Sequence, residues 1–152
     1  RYFPKKLDAA EDTAFLLRIQ NDIEKRGWGL FAVELKATGK FIGFSGLHVY
    51  PPEFEIADAP EIGWRLLPQY WYQGYATEGA KAVLKHAFRN LRIDRVISLT
   101  ACINTPSEGV MQRLGMDKVR EFDHPFVPAD HPLHRHVLYE MHRGDFLHHT
   151  FC

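Results

Sequence analysis

A helical stretch between two strand-like runs is the feature that most constrains the fold of this chain. "EIGWRLL" (61–67) predicts a strand that ends before Pro68, and "RVISLTAC" (95–102) is a continuous apolar run, typical of a strand covered on both faces. Between them, a helix is expected to begin at Thr77, and small and apolar residues recur at helical spacing on one face: Ala76, Ala80, Val83, Leu84, Ala87, Phe88 and Leu91. Two strands joined through a helix are predicted to lie parallel in one sheet, so the chain is expected to be of the α/β class.

The segments around this unit predict further strands and one amphipathic helix. Apolar residues at helical spacing indicate a helix over 8–24, which Gly27 and Gly29 end. A turn containing Gly39 separates two β-rich runs, which are therefore expected to pair antiparallel. The predicted strands outside the central unit are "WGLFAVEL" (28–35), "KFIGFSGLHVY" (40–50), "KVREF" (118–122) and "HVLYEM" (136–141).

A second, shorter helix is predicted from "NTPSEGVMQRLGM" (104–116). Thr105 can serve as its N-cap, with Pro106 at the first helical position. Glu108 would complete a capping box, and Gly115 ends the helix.

Composition narrows the classes of function. At 152 residues the chain is predicted to be one domain, and its 19 basic and 19 acidic side chains leave no net charge. The balance argues against nucleic-acid binding, and no run of about 18 apolar residues predicts a membrane span. Cys102 and Cys152 make no disulfide framework, which favours a reducing, cytoplasmic location.

The stretch "YWYQGYATEGA" (70–80) predicts an anion site, because free N–H groups and the helix dipole point to the same place at a helix N-terminus. A dinucleotide fingerprint fits poorly: 68–72 intervene after the strand, and Asp94 precedes the next strand instead of ending it. A helix whose small residues merely pack on a sheet is the simpler alternative.

Three motifs in this order, "EIGWRL", "YWYQGYATEGA" and "NTPSEGVMQRLGM", resemble the GNAT superfamily of N-acetyltransferases, in particular its RimJ/RimL-like branch. The family's cofactor loop reads Gln/Arg-x-x-Gly-x-Gly/Ala, and here Trp71 stands at its first position. The resemblance implies a single domain over 1–152, with a mixed and mostly antiparallel sheet, a splayed parallel central pair, and helices on both faces. It also implies a strand ahead of Arg1, so the sheet is expected to lack an edge strand.

The resemblance further implies transfer of an acetyl group from acetyl-CoA to a primary amine by direct attack in a ternary complex. The acceptor would be a small molecule or a protein N-terminus, and a homodimer is left open. The expected cofactor contacts are Leu66 and Leu67 through the main chain, the turn Gln73, Gly74, Tyr75, Ala76 and Thr77, together with Asn104 and Arg113.

Acetyl transfer needs a group that takes the amine proton and a group beside the leaving thiolate. Glu61 is the candidate base, although it could also be an ordinary strand-edge charge, and His48 is the alternative. Ser107 matches the family's Asn-x-x-Ser serine, near the leaving sulfur. Capping by Thr105 leaves Asn104 and Ser107 without a structural explanation, which favours function for both.

The segment 123–135 is rich in proline and histidine and is expected to be irregular. The spacing of its histidines, together with His136 just after it, matches no metal-site template, so no metal is predicted. In the family this segment lies beside the acceptor cleft, which makes these histidines and Phe126 candidate acceptor contacts: His124, His131, His134 and His136. Trp64 and Tyr139 are expected in the core or the cleft wall.

Two other functions compete with this interpretation. One is a non-catalytic acyl-CoA-binding or regulatory module that keeps the phosphate loop without turnover. The other is a fragment of a nucleotide-binding oxidoreductase. The sequence does not identify the amine acceptor.

Overall fold

The computed structural model of the protein describes residues 9–55 and 58–148. Its four helices and six strands are α1 (Ala9–Arg26), β1 (Leu30–Glu34), β2 (Phe41–His48), β3 (Glu61–Leu66), α2 (Tyr75–Lys85), β4 (Arg95–Ala101), α3 (Thr105–Arg113), β5 (Asp117–Asp123), β6 (Arg135–His142) and α4 (Arg143–His148).

All six strands form one sheet, in the order β1-β2-β3-β4-β6-β5. Every neighbouring pair is antiparallel except β3 and β4, which are parallel. The parallel central pair and the antiparallel pairing of β1 with β2 are therefore confirmed.

Helices cover both faces of the sheet, as predicted. On one face the ring of Phe15 in α1 lies 5.7 Å from the ring of Phe44 in β2. On the other, a Cβ placed on Gly79 of α2 would lie 3.8 Å from Ser45. Since successive strand residues point to opposite faces, α1 and α2 pack on opposite sides of β2.

The core follows the same division. The larger cluster lies on the α2 face and includes side chains that are almost fully buried, among them Ile62, Leu84, Phe88, Val96, Met111 and Met141. A smaller cluster on the opposite face contains Phe54, Ile97, Phe122 and Leu138. Alternate residues of β4 feed the two clusters, which explains why its sequence is an apolar run without polar alternation.

The parallel pair separates almost as soon as it forms. Only Glu61 and Ile97 are in register, with Ile97 N–H donating to the Pro60 carbonyl at 3.0 Å. In a regular parallel ladder the next bond would join the Leu99 N–H to the Ile62 carbonyl. Here two side chains take these groups: the Ser98 hydroxyl donates to the Ile62 carbonyl, and the Glu61 carboxylate accepts from the Leu99 N–H, each at 3.0 Å.

Several predicted helix ends need correction. The central helix begins at Tyr75, two residues before the expected Thr77, because Gly74 is its N-cap in a left-handed conformation (φ 86°). It then runs into a π-helical turn over His86–Asn90, closed by a bond from Leu91 N–H to the His86 carbonyl.

The N-cap of α3 is Asn104, so the assignment of Thr105 as the cap is wrong. The Asn104 side chain accepts from the Ser107 N–H, and Thr105 is already helical. The Glu108 carboxylate, expected in a capping box, accepts instead from the Tyr139 hydroxyl at 2.7 Å. Gly115, with φ 81°, follows the end of the helix as predicted.

The remaining outcomes concern the ends of the chain and its two cysteines. Helix α4 was not predicted. Asp8 and the strand expected ahead of Arg1 lie outside the described residues, as does Cys152, while Cys102 is a half-buried free thiol. Along the described chain, no helix has both the length and the apolarity needed to cross a membrane.

Two glycines that face each other across β2 and β3 give a stability test. A Cβ at Gly46 would lie 2.1 Å from the Gly29 carbonyl oxygen, whereas a Cβ at Gly63 would meet nothing within 4 Å. We expect Gly46→Ala to cost at least about 2 kcal/mol of unfolding free energy, because β1 must move away from β2. Gly63→Ala should change it by less than about 1 kcal/mol. Urea unfolding measures both, and equal losses would contradict the register.

Candidate functional site

A cavity of about 330 Å³ lies where β3 and β4 separate, between the ends of β3, α2 and α3. Eight predicted site residues line it: Leu66, Gly74, Tyr75, Ala76, Thr77, Asn104, Ser107 and Arg113. Three others, Glu61, Leu67 and Gln73, do not. Residues that sequence reasoning did not assign to the cofactor also line it, including Arg65, Tyr70, Tyr72 and Gly109.

The N-termini of α2 and α3 both open onto the cavity, but they differ in what they offer an anion. Helix α2 has no side-chain cap, so the backbone N–H groups of its first turn lack a helical partner. In α3, Asn104 occupies the Ser107 N–H, and Pro106 has none. The turn 73–77 is therefore the better place for phosphate groups.

Arg113 places a positive charge beside the uncapped turn. Its Nε donates to the Thr77 hydroxyl at 3.3 Å, which joins α3 to the first turn of α2. Its guanidinium also lies over Gly109, where an added Cβ would be 3.2 Å from Nη1. A larger residue at position 109 would displace this side chain.

Asn104 has a structural role that the sequence interpretation missed. It is 8% exposed, and its amide donates to the Thr100 hydroxyl at 3.0 Å while its oxygen accepts from the Ser107 N–H at 3.4 Å. The argument that capping leaves Asn104 unexplained is therefore wrong. Its contact with a cofactor, and the action of the Ser107 hydroxyl, remain predictions.

The loop before α2 uses some of the groups expected to face the cofactor. Leu67 donates its N–H to Ile42 and accepts at its carbonyl from Tyr70, and the Gln73 amide donates to the Gln69 carbonyl. The indole of Trp71 donates to the Leu66 carbonyl at 2.8 Å. The peptide groups of successive residues in β3 point alternately towards β2 and towards β4. The N–H and carbonyl of Trp64 and the N–H of Leu66 point towards β4.

Glu61 lies beside the split, on the face opposite α2. Its carboxylate is almost fully buried, accepts from the Leu99 N–H, and interacts with the Tyr50 hydroxyl. Burial is the main cause that raises the pKa of Glu61 to about 8, and these two contacts lower it in part. The same burial, together with the Glu61 charge, raises the pKa of Tyr50 well above its usual range.

His48 is the nearest imidazole to this carboxylate. Its Nδ1 lies 3.3 Å from Glu61 Oε1, yet the angle does not make a hydrogen bond, and Nδ1 is buried without a partner. Burial lowers the pKa of His48, against an opposing effect of Asp22 on α1. His48 is therefore a neutral neighbour of Glu61 at neutral pH.

The histidine-rich segment folds on itself. His124 and His131 each accept at Nδ1 from a backbone N–H two residues on, and His134 Nδ1 contacts the Val127 carbonyl at 2.7 Å. Across residues 9–55 and 58–148, no group of three or more His, Cys, Asp or Glu side chains is placed to hold a metal ion. His124 and His136 instead contact aromatic rings, with centroids 4.7 Å apart from each other.

Residues 1–117 match the family described as "Acetyltransferase (GNAT) domain". The chain belongs to this GNAT family. It is 38% identical over 90 residues to the FsC-acetyl coenzyme A-N(2)-transacetylase of Aspergillus fumigatus, covering 57% of this chain and 38% of that protein. It is 32% identical over 117 residues to the uncharacterized N-acetyltransferase YnaD of Bacillus subtilis, covering 76% of this chain and 64% of that protein. The chain thus spans less than two thirds of either relative.

Solved GNAT structures share the fold. A GNAT-family acetyltransferase from Bacillus anthracis superposes with a TM-score of 0.72 at 27% identity, covering 91% of this chain and 76% of that one. RimJ of Mycobacterium smegmatis, in complex with CoA-disulfide, superposes with a TM-score of 0.69 at 17% identity, covering 93% of this chain and 68% of that one. The mixed sheet with a parallel central pair is therefore the GNAT fold.

Glu61 gives this GNAT domain a specific dependence of stability on pH. Between 4.5 and about 8 the folded protein keeps a proton on Glu61 that the unfolded chain releases. Wild-type stability should therefore fall as pH rises through this window, by up to about 1.4 kcal/mol per pH unit, relative to Glu61→Gln. Urea unfolding of both proteins from pH 4 to 9 measures the difference. A constant difference across the window would show that the carboxyl is already ionised in the folded state.

Proposed function

We propose that this chain is an acetyl-CoA-dependent N-acetyltransferase that acts on a primary amine in a ternary complex. The observation that carries the proposal is the cavity at the β3–β4 split, where an uncapped helix N-terminus and Arg113 face a strand with unpaired backbone groups. Family membership and the name of the Aspergillus fumigatus relative support the cosubstrate.

The residues present fit acetyl-CoA. The turn Gln73 to Thr77 would hold the pyrophosphate through backbone N–H groups, with Arg113 adding charge. Trp64 and Leu66 would offer main-chain groups to the pantetheine arm, while the Leu67 groups are already used within the protein. When bound, acetyl-CoA supplies the acetyl group as a thioester.

Glu61 would receive the proton that the amine loses as it attacks the thioester carbonyl. A carboxylate with a pKa of about 8 is a better base towards an amine than one with an ordinary pKa, because its proton affinity is closer to that of the amine. It lies on the far side of the sheet from α2, so the acceptor and the cosubstrate would meet through the split. His48, which lies beside Glu61, is the alternative base.

Ser107 would act at the other end of the reacting bond. It lines the cavity in the first turn of α3, with its N–H already bound by Asn104. As the carbon–sulfur bond breaks, its hydroxyl would donate to the departing thiolate. Asn104 would position Ser107 and bind a cofactor amide only after rearranging its present bonds.

Finer assignments also remain proposals. We place the chain in the RimJ/RimL-like branch, on the three motifs and on the fold it shares with RimJ of Mycobacterium smegmatis. We expect it to act in the cytoplasm as one domain, on a small amine or a protein N-terminus, with a homodimer left open. No nucleic-acid, membrane or metal partner is proposed.

Binding of acetyl-CoA tests the phosphate site. Gly74 has φ 86° and is exposed, and asparagine and aspartate tolerate this conformation better than other non-glycine residues. Gly74→Asp should abolish detectable CoA binding in calorimetry, because the added carboxylate would occupy the turn and repel the phosphate groups of CoA. Gly74→Asn, its uncharged isostere, should bind with a smaller loss. Equal affinity of the two folded variants would place the phosphates elsewhere.

The pH dependence of turnover tests Glu61. With an acceptor whose own pKa lies well below 8, kcat/KM of the wild type should rise with pH to a plateau above about 8. Glu61→Gln should lower the plateau roughly a hundredfold and remove this limb, with the acetyl-CoA KM nearly unchanged.

The matched control is Glu53→Gln, an exposed carboxylate in the loop before β3, which should leave the profile intact. A Glu61→Gln variant with the wild-type rate at every pH would leave His48 or water as the base. Acetyl-CoA that binds but stays intact with every amine would support the non-catalytic module.

A further inference from the structure

We propose that the acceptor is a small primary amine with an aromatic body, bound over a run of rings that begins beside Glu61 on the face of the sheet opposite α2. This inference rests on the proposed N-acetyltransferase function and names its acceptor class. The run, called the ring array below, consists of His48, Tyr50, Phe54, His124 and His136, with Phe126 at its surface.

The ring array is continuous. Its successive centroids are 4.5 Å apart from His48 to Tyr50, 4.7 Å to Phe54, 5.0 Å to His124 and 4.7 Å to His136. These separations lie within the range of attractive aromatic pairs. The array meets the candidate base at its first two rings, through the 3.3 Å contact of His48 and the Tyr50 hydroxyl.

The array is exposed mainly at Phe126, since Phe54 is buried and the other four rings are half-buried. Phe126 is 65% exposed, although its ring centroid is 5.7 Å from that of the buried Phe54. An exposed phenyl ring at the end of a packed aromatic cluster offers a face on which another ring can stack.

Space for the amine lies between the array and the split. Gly63 follows Glu61 on the same face of β3, and a Cβ there would meet nothing within 4 Å. A short carbon chain could pass over Gly63 and bring its nitrogen to Glu61, while its ring lies on the array.

The charges around the array favour an acceptor with a single amine. Asp58 and Glu140 both bind Arg95 at 2.6 Å, and Asp123 binds Arg135 at 3.1 Å. Burial lowers the pKa of the His124 and His136 imidazoles, that of His136 to about 4, so these rings are neutral. Glu53 and Glu55, which flank Phe54, are exposed, so among the described residues a polyamine or an aminosugar would find no buried acidic partner near the array besides Glu61.

The polar groups near the array favour a small molecule over a peptide. His131 and His134 already bond to the backbone of their own loop, so they are not open to the amides of a bound chain. Within the described residues, two ring nitrogens of the array are buried without a hydrogen-bond partner, Nδ1 of His48 and Nδ1 of His136. The Leu133 and His134 carbonyls approach the His136 ring without making such a bond. Both nitrogens are closed to solvent, so the amides of a bound peptide could not reach them either.

The experiment compares acceptors that differ in one property at a time. Phenethylamine and butylamine each carry one amine on an apolar body, and a linear triamine carries more charge. We expect kcat/KM for phenethylamine to exceed that for butylamine by about tenfold, the upper range for one or two added ring contacts. The triamine should be the poorest of the three.

Two variants at Phe126 test the array, and a third variant, at Phe41, is the control. Phe126→Ala should lower kcat/KM for phenethylamine about fivefold and for butylamine by less than about twofold, since only the first stacks on the ring. Phe126→Leu keeps an apolar side chain without aromatic faces and should behave in the same way. Phe41→Ala removes a ring that is 53% exposed on β2, and it should leave kcat/KM unchanged for both amines.

Binding provides a readout that does not depend on turnover. Calorimetry of each amine with the CoA-saturated protein should show tighter binding of phenethylamine, weakened by Phe126→Ala. If CoA binds and phenethylamine binds but no acetyl group is transferred, the proposed function fails, and the array stands only as a binding site for an aromatic amine.

Three results would overturn the inference. The kcat/KM for butylamine or the triamine could match that for phenethylamine, or Phe126→Ala could lower kcat/KM equally for every amine. A short peptide that begins with phenylalanine could exceed phenethylamine, which would make the acceptor a protein N-terminus.

Discussion

The structure depends on one interruption in the sheet, where the parallel ladder between β3 and β4 stops after a single registered pair. The Ser98 hydroxyl and the Glu61 carboxylate take the two backbone groups that would form the next bond. These side chains let the strands diverge without leaving buried backbone groups unsatisfied, which would cost more than the lost pairing. The cavity and the backbone groups facing it follow from that divergence.

The two helices that begin at the cavity are built differently, and the difference assigns their tasks. Helix α2 begins at Gly74, which supplies the left-handed turn and no side chain, so its first N–H groups remain open to an anion. Helix α3 begins at Asn104, whose side chain closes its own N-terminus and is held in turn by Thr100. We propose that the open N-terminus of α2 binds phosphate and that the capped N-terminus of α3 fixes the position of Ser107. Arg113 connects them through Thr77.

Glu61 joins the architecture to the chemistry. The carboxylate that holds the split open is buried next to Tyr50 and His48, and this burial raises its pKa to about 8. In our proposal, this strand residue with a structural bond to Leu99 is also the base, because its raised pKa suits an amine substrate. The rings that bury it extend away from the split, so in our proposal the surroundings that tune the base also provide the surface for the acceptor.

The sequence by itself determined the elements whose signals are local. The apolar run of β4, the small-residue face of α2 and the glycine at its N-terminus predicted the parallel pair and the anion site, because periodicity and backbone conformation depend on neighbouring residues. The three motifs predicted the family and most of the site residues that line the cavity. Only the tertiary structure decided that Asn104 caps α3, that Glu108 binds Tyr139, and that Leu67 and Gln73 turn away from the cavity. It also brought His48, Tyr50, Phe54 and His124 together around Glu61, from segments far apart in the chain. Some of these contacts join residues far apart in the chain, such as Glu108 with Tyr139, and the local ones, such as Asn104 with Ser107, compete with alternatives that the sequence equally allows, so a single chain read in order cannot supply them.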